Sequence, residues 1–109
     1  MEPPAKSAQP DLTAALDRLW ARFLPEIRER VAVIESAIQS LASGPLTAEQ
    51  QVAAASAAHK LAGVLGTFNL HRGTELAREL ELQFTEMPDS TEPLAELSTE
   101  LRSIIESRK

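Results

Sequence analysis

Leucine, isoleucine, valine and alanine recur every three or four residues along most of this chain, and charged residues fill the positions between them. Such spacing gathers the apolar positions on one side of an α-helix, which turns by about 100° per residue. Leu12, Leu16, Leu19 and Phe23 form a first stripe, opened by Asp11 as a helix N-cap. Pro25 lacks the N–H that a helix interior requires but suits a first turn, so it predicts a short first helix and the start of a second. Leu24, Ile27, Val31, Ile34, Ile38 and Leu41 keep the spacing through that second helix, with Glu26, Arg28, Glu29, Arg30 and Glu35 on other faces. Ser43-Gly44-Pro45 ends it, glycine being the natural residue just past a helix and proline being unable to continue one.

Thr47 with Gln50 three residues later makes a capping box for the next helix, which should stop between Gly66 and Asn69. Leu76, Leu80 and Phe84, with Gly73 and Ala77 beside them, predict a further helix from about Leu70 to Phe84. Met87-Pro88-Asp89-Ser90 is the next connection. Ser90 or Thr91 then caps, and Pro93 enters, a last helix carrying Leu94, Leu97, Leu101, Ile104 and Ile105. The expected fold is all-α: an antiparallel four-helix bundle with a short additional N-terminal helix, over residues 11–109. Residues 1–10, with Pro3, Pro4 and Pro10 and no periodicity, are expected to be a disordered tail. The Ile27 to Leu41 and Leu94 to Ile105 stripes would also suit an elongated coiled coil, but connections this frequent favour a compact bundle.

The helix after Thr47 is unusual on its polar side. With His59 set at zero on a helical projection, Ala54, Ala58, Leu61, Leu65 and Phe68 fall on the far side and face the core. Val52, Ala55, Ser56, Ala62, Gly63 and Gly66 fall within about 60° of His59. The histidine's own face on this helix thus carries small side chains and no charge. Small residues would let a second protein approach the imidazole closely. Alanine is also a good helix former, so the projection alone does not separate a presented histidine from an incidental surface one.

Composition narrows the choices. The 109 residues suffice for one domain with one core, and the 4% aromatic content favours helices packed by aliphatic side chains. A net charge of −5 offers no basic patch, which makes nucleic acid and anionic membrane poor partners. No apolar run approaches the ~20 residues of a membrane span, and the polar N-terminus lacks a signal segment, so a cytoplasmic protein is expected. With no cysteine, disulfide and thiolate chemistry are excluded. His59 and His71 stand twelve apart, and His71 with Glu75 would supply two metal ligands at most. Neither a Gly-x-Ser-x-Gly elbow nor a Gly-x-x-x-x-Gly-Lys phosphate loop is present. What remains is a neutral imidazole, whose unprotonated ring nitrogen is a nucleophile that can accept a phosphoryl group. Lys60, about 100° around the helix, could swing its flexible stem toward the modified ring.

Residues 58 to 81, from Ala-His-Lys-Leu-Ala-Gly-Val-Leu-Gly-Thr-Phe-Asn-Leu through to Leu-Ala-Arg-Glu-Leu-Glu, resemble the signature of histidine-containing phosphotransfer domains of two-component phosphorelays. His59, Leu61, Gly63, Gly66, Phe68, Leu70, Leu76, Leu80 and Glu81 carry the match, and the helix layout extends it to roughly residues 11 to 107. The chain departs from the family pattern at Ala62, where a lysine is common, at Val64, often a serine, and at Asn69, often a glycine. The resemblance implies a phosphorelay intermediate with no kinase site of its own. His59 would take a phosphoryl group from a receiver-domain aspartate and pass it to another receiver. It further implies response-regulator receiver domains and a hybrid histidine kinase as partners, with Val52, Ala55, Ser56, Ala62, Gly63 and Gly66 as the docking patch. No cofactor is expected on this chain, Mg²⁺ being the receiver's. The chain is expected to act as a monomer, and Met1 with the proline-rich start suggests a free-standing protein. A second reading is a non-phosphorylated bundle adaptor, or a decoy that binds receivers. A third is a module of a hybrid or chemotaxis kinase.

Overall fold

In a computed structural model the described residues, 4–86 and 90–108, form α1 (Pro4–Ser43), α2 (Ala48–Thr67), α3 (His71–Thr85) and α4 (Glu92–Ser107). Side chains are described from Leu12 to Glu86 and from Ser90 to Arg108. Each helix packs against its neighbours in the ring α1-α2-α3-α4, with α4 closing against α1. Short connections reverse the chain between α1 and α2 and between α2 and α3, which gives the expected antiparallel bundle.

The expected apolar stripes form the core, except that Leu12, placed in the first stripe, is 63% exposed and lies outside it. Ile27, Ile34, Leu61, Leu65, Leu76, Leu80, Phe84, Leu94, Leu101 and Ile105 are fully buried, and Trp20 is nearly so. One expectation gives way at Pro25. No break occurs there, and the short additional helix is continuous with α1. The reason lies in what flanks the proline: Trp20 before it and Ile27 after it enter the same core, and Phe23 and Leu24 pack against that core. An interior proline costs ~3 kcal/mol. Burying side chains of this size contributes about 1.5–3 kcal/mol each, so holding both flanks on one rod wins. The helix also reaches back to Pro4, into the stretch expected to be a tail; Pro4 itself sits in a first turn, where no N–H is needed.

The ends of α2 follow their sequence signals. Thr47 Oγ1 accepts from the Gln50 N–H at 3.0 Å, and the Gln50 side chain accepts from the Thr47 N–H at 2.9 Å. At the other end, the Leu70 N–H reaches the Leu65 carbonyl at 3.0 Å and the Asn69 N–H reaches the Gly66 carbonyl at 3.1 Å. This double return is a Schellman closure, which needs a left-handed residue between helix and loop. Asn69 supplies it with φ 61°. Phe68, at the cap, meets Trp20 edge to face at 5.1 Å between centroids and so ties the end of α2 to α1. Of the connection to α4, Met87 to Asp89 lie outside the described residues; Thr91 takes the cap position and Pro93 the first turn.

Arginine–carboxylate pairs brace the exterior. Arg28–Glu106 (2.7 Å), Arg102–Glu35 (2.9 Å) and Arg108–Asp17 (3.1 Å) join α1 to α4 or the residue after it, and Arg72–Glu100 (2.8 Å) joins α3 to α4. None of them involves α2, whose exposed positions around His59 are Val52, Ser56, Gly63 and Gly66, with Lys60 farther round the helix.

Candidate functional site

Three polar contacts fix the register of α2 against α3. The Gln51 side-chain amide donates to the Phe84 carbonyl at 2.7 Å and to that of Thr85 at 3.3 Å, near the end of α3. Thr74 Oγ1 donates to the Ala62 carbonyl at 3.3 Å near its start. Between them, His59 Nδ1 lies 3.0 and 3.2 Å from the two oxygens of Glu81.

That third contact decides the state of the ring. A carboxylate offers only acceptors, so Nδ1 facing it carries the proton. In the neutral imidazole Nε2 is then bare, its lone pair pointing away from Glu81. The His59 side chain is 74% exposed, so this nitrogen is open to an incoming group. Glu81, 34% exposed, is the better held of the two and acts as the anchor. A proton on Nδ1 would also let Glu81 steady the positive ring that forms if Nε2 takes on a phosphoryl group.

The imidazole stands between two open grooves along the α2–α3 seam. One is lined by Ala48, Gln51, Val52, Ala55, Ser56, His59, Glu81 and Thr85. The other is lined by His59, Ala62, Gly63, Arg78, Glu81, Leu82 and Thr85. Of the sequence-predicted docking residues, Val52, Ala55 and Ser56 therefore border the first groove, and Ala62 and Gly63 the second. Ala62 is only 6% exposed and offers little surface. Gly66 is exposed but borders neither groove; it lies nearer Thr74. Lys60 is exposed and also borders neither.

The other wall of the site comes from α3, through Arg78, Glu81, Leu82 and Thr85. The projection of α2 describes a face without charge, and on α2 that holds. The folded site is not uncharged, because Glu81 and Arg78 reach it from the neighbouring helix. In the sequence Glu81 stands out only through the resemblance, and nothing local to either helix reveals which α3 residues stand opposite His59. Two exposed apolar side chains, Val52 at 67% and Leu82 at 50%, rim the histidine from the two helices. Exposed apolar side chains beside a bare nucleophile suit a protein partner.

Among the described residues no group of three or more histidines and carboxylates is placed to hold a metal ion, and Glu75 pairs with Arg72 at 3.3 Å. Among them, too, no helix is long and apolar enough to cross a membrane.

Comparison with known proteins adds an independent finding. A family model described as Hpt domain matches residues 18–107. Protein RcaC of Microchaete diplosiphon is 37% identical over 74 residues, which are 68% of this chain and 11% of that protein. The chain thus spans a small part of the length of this curated relative. No solved structure matches the chain significantly.

Proposed function

This chain belongs to the Hpt domain family, the phosphotransfer modules of two-component phosphorelays, and from that premise we propose that His59 is its phosphoacceptor. The observation that carries the proposal is the pairing of His59 Nδ1 with Glu81 at 3.0 Å on an exposed ring. With Nδ1 protonated, Nε2 needs no base to become a nucleophile. Its lone pair attacks the phosphorus of an aspartyl phosphate on a receiver domain. The Nε2–P bond forms as the bond from phosphorus to the aspartate oxygen breaks, and the aspartate leaves as a carboxylate. The ring becomes a cation that keeps its Nδ1 proton against Glu81. Transfer to a second receiver aspartate reverses the same bonds.

The division of labour follows from what the chain holds. It supplies a nucleophile in a fixed tautomer and an open surface for in-line approach. The receiver supplies the activated phosphoryl group and the Mg²⁺ that neutralises its charge. The docking surface is the pair of grooves with Val52, Ala55, Ser56 and Gly63 on α2 and Leu82 on α3.

Incubation with a phosphorylated receiver domain should produce an acid-labile, alkali-stable phosphoryl adduct on this chain. The adduct should vanish in His59→Gln with helicity unchanged by circular dichroism. An adduct that persists in His59→Gln removes His59 as the acceptor. Full biological output from a His59→Ala strain would favour the adaptor reading instead.

A further inference from the structure

A phosphoryl group on Nε2 brings between one and two negative charges beside the Glu81 carboxylate, which already occupies the other side of the ring. The single positive charge of the phosphorylated ring already faces Glu81 and does not balance both anions, so a further cation beside the phosphoryl group favours the phosphorylated state. Lys60 borders neither groove, and position 62 offers only a buried methyl. Arg78 is the cationic side chain in the lining of the groove that it shares with His59 and Gly63. It stands three residues before Glu81 on α3, hence on the same side of that helix, where side chains are ~5–6 Å apart at Cβ. Arg28, Arg30, Arg72, Arg102 and Arg108 are each committed to a carboxylate. Arg78 is exposed and enters no ion pair among the described residues, so it has no partner to surrender.

We propose that Arg78 is the charge partner of phosphorylated His59, its guanidinium reaching across the seam to the phosphoryl oxygens. This rests on His59 being the acceptor and goes beyond it by assigning the group that holds the phosphoryl once it arrives. Space on the α2 side is provided by Gly63, where a Cβ would meet nothing within 4 Å. The planar fork of arginine suits two phosphoryl oxygens at once. The site is therefore built across two helices: α2 gives the nucleophile and the room, and α3 gives one anion for the ring and one cation for the phosphoryl group.

The test uses the full chain phosphorylated by phosphoramidate, a small donor that requires no docking, and reads the ³¹P chemical shift of the phosphohistidine against pH. A guanidinium beside the phosphoryl group favours its dianion, so Arg78→Gln should move the titration midpoint up by about half a unit at this solvent-exposed site. Arg78→Lys should restore most of the shift, and Lys60→Gln should leave the midpoint at the wild-type value. An unchanged midpoint in Arg78→Gln overturns the assignment, and a shift found in Lys60→Gln instead transfers the role to Lys60. Absence of any phosphohistidine signal in the wild type is a different failure: it removes the acceptor reading and this one with it. Arg78 is exposed, so circular dichroism of its variants should match the wild type, which keeps these outcomes clear of misfolding.

Discussion

Gly63 offers a substitution for which stability and function should move in opposite directions. It lies inside α2, where glycine is about 0.8–1.0 kcal/mol less favourable than alanine. A Cβ built at this position meets nothing within 4 Å, so Gly63→Ala adds no clash against which that gain must be set. The site is exposed and within two turns of the helix end, and frayed ends realise only part of the interior value. The expected gain is therefore about 0.5–1 kcal/mol, worth roughly 2–6 °C in melting temperature for a domain of this size. On stability alone alanine should stand here. If glycine is kept so that a partner can approach, the more stable variant should be the poorer acceptor from a phosphorylated receiver while reacting normally with phosphoramidate. Thermal melts by circular dichroism and the two phosphorylation assays measure all three quantities. A lower melting temperature would refute the open geometry at Gly63, and undiminished transfer from the receiver would remove this position from the docking surface.

Gly73 should behave in the opposite way, because its Cβ would lie 3.1 Å from Cδ1 of the fully buried Leu65 and 3.5 Å from Ile104; Gly73→Ala should lower the melting temperature, the propensity gain in a first turn being too small to offset the displaced core. Gly63→Arg should block transfer from a receiver and leave phosphoramidate labelling intact, whereas Glu81→Ala should slow both by about 3- to 10-fold, the worth of roughly 1 kcal/mol for a charge-assisted hydrogen bond at an exposed site. A Glu81→Ala rate equal to wild type with phosphoramidate would show that the ring needs no anchor. The hydrogen bonds from Arg28 and Arg72 hold the carboxyls of Glu106 and Glu100 below the ordinary glutamate range. A depressed native value stabilises the fold above the unfolded pKa of about 4.5 and is lost as pH falls through the native value. Arg28→Gln should thus melt slightly below the wild type at neutral pH, with the gap closing under acid below about pH 4.5 and shrinking in high salt; a gap that widens under acid would refute the assignment.

The fold was legible in the sequence wherever the signal was local and repeated. The stripes from Leu24 to Leu41 and from Leu94 to Ile105, the Thr47–Gln50 box and the far-side residues Ala54, Ala58, Leu61, Leu65 and Phe68 all lie where spacing puts them. Asn69 shows why a departure from pattern can be conservative in physics: the helix closure needs a positive φ, and asparagine is the residue after glycine that most readily adopts one. Pro25 misleads for the converse reason. Its local preference for a helix start is real, yet it is outweighed by Trp20 and Ile27, whose burial in a common core no window around the proline reveals.

Legibility of the candidate site divides along the same line. A projection finds one wall of a two-walled site, because the angular position of a residue on its own helix is set by the 3.6-residue repeat, while its neighbour across a seam is set by packing. Here the register depends on Gln51 reaching the end of α3 and Thr74 reaching the backbone of α2, contacts between residues 33 and 12 positions apart. Only that register sets Glu81 against Nδ1 and places Arg78 in the groove that His59 also lines. The bare face of α2 and the charged positions of α3 are therefore complementary halves. On the docking proposed above, small residues on α2 would admit a partner because the electrostatic groups stand on the other helix, and the same separation would make docking and ring chemistry open to independent mutation. Gly63 and Glu81 are the pair that would expose this, since on that reading Gly63 borders the partner's approach and Glu81 holds Nδ1 from the second wall.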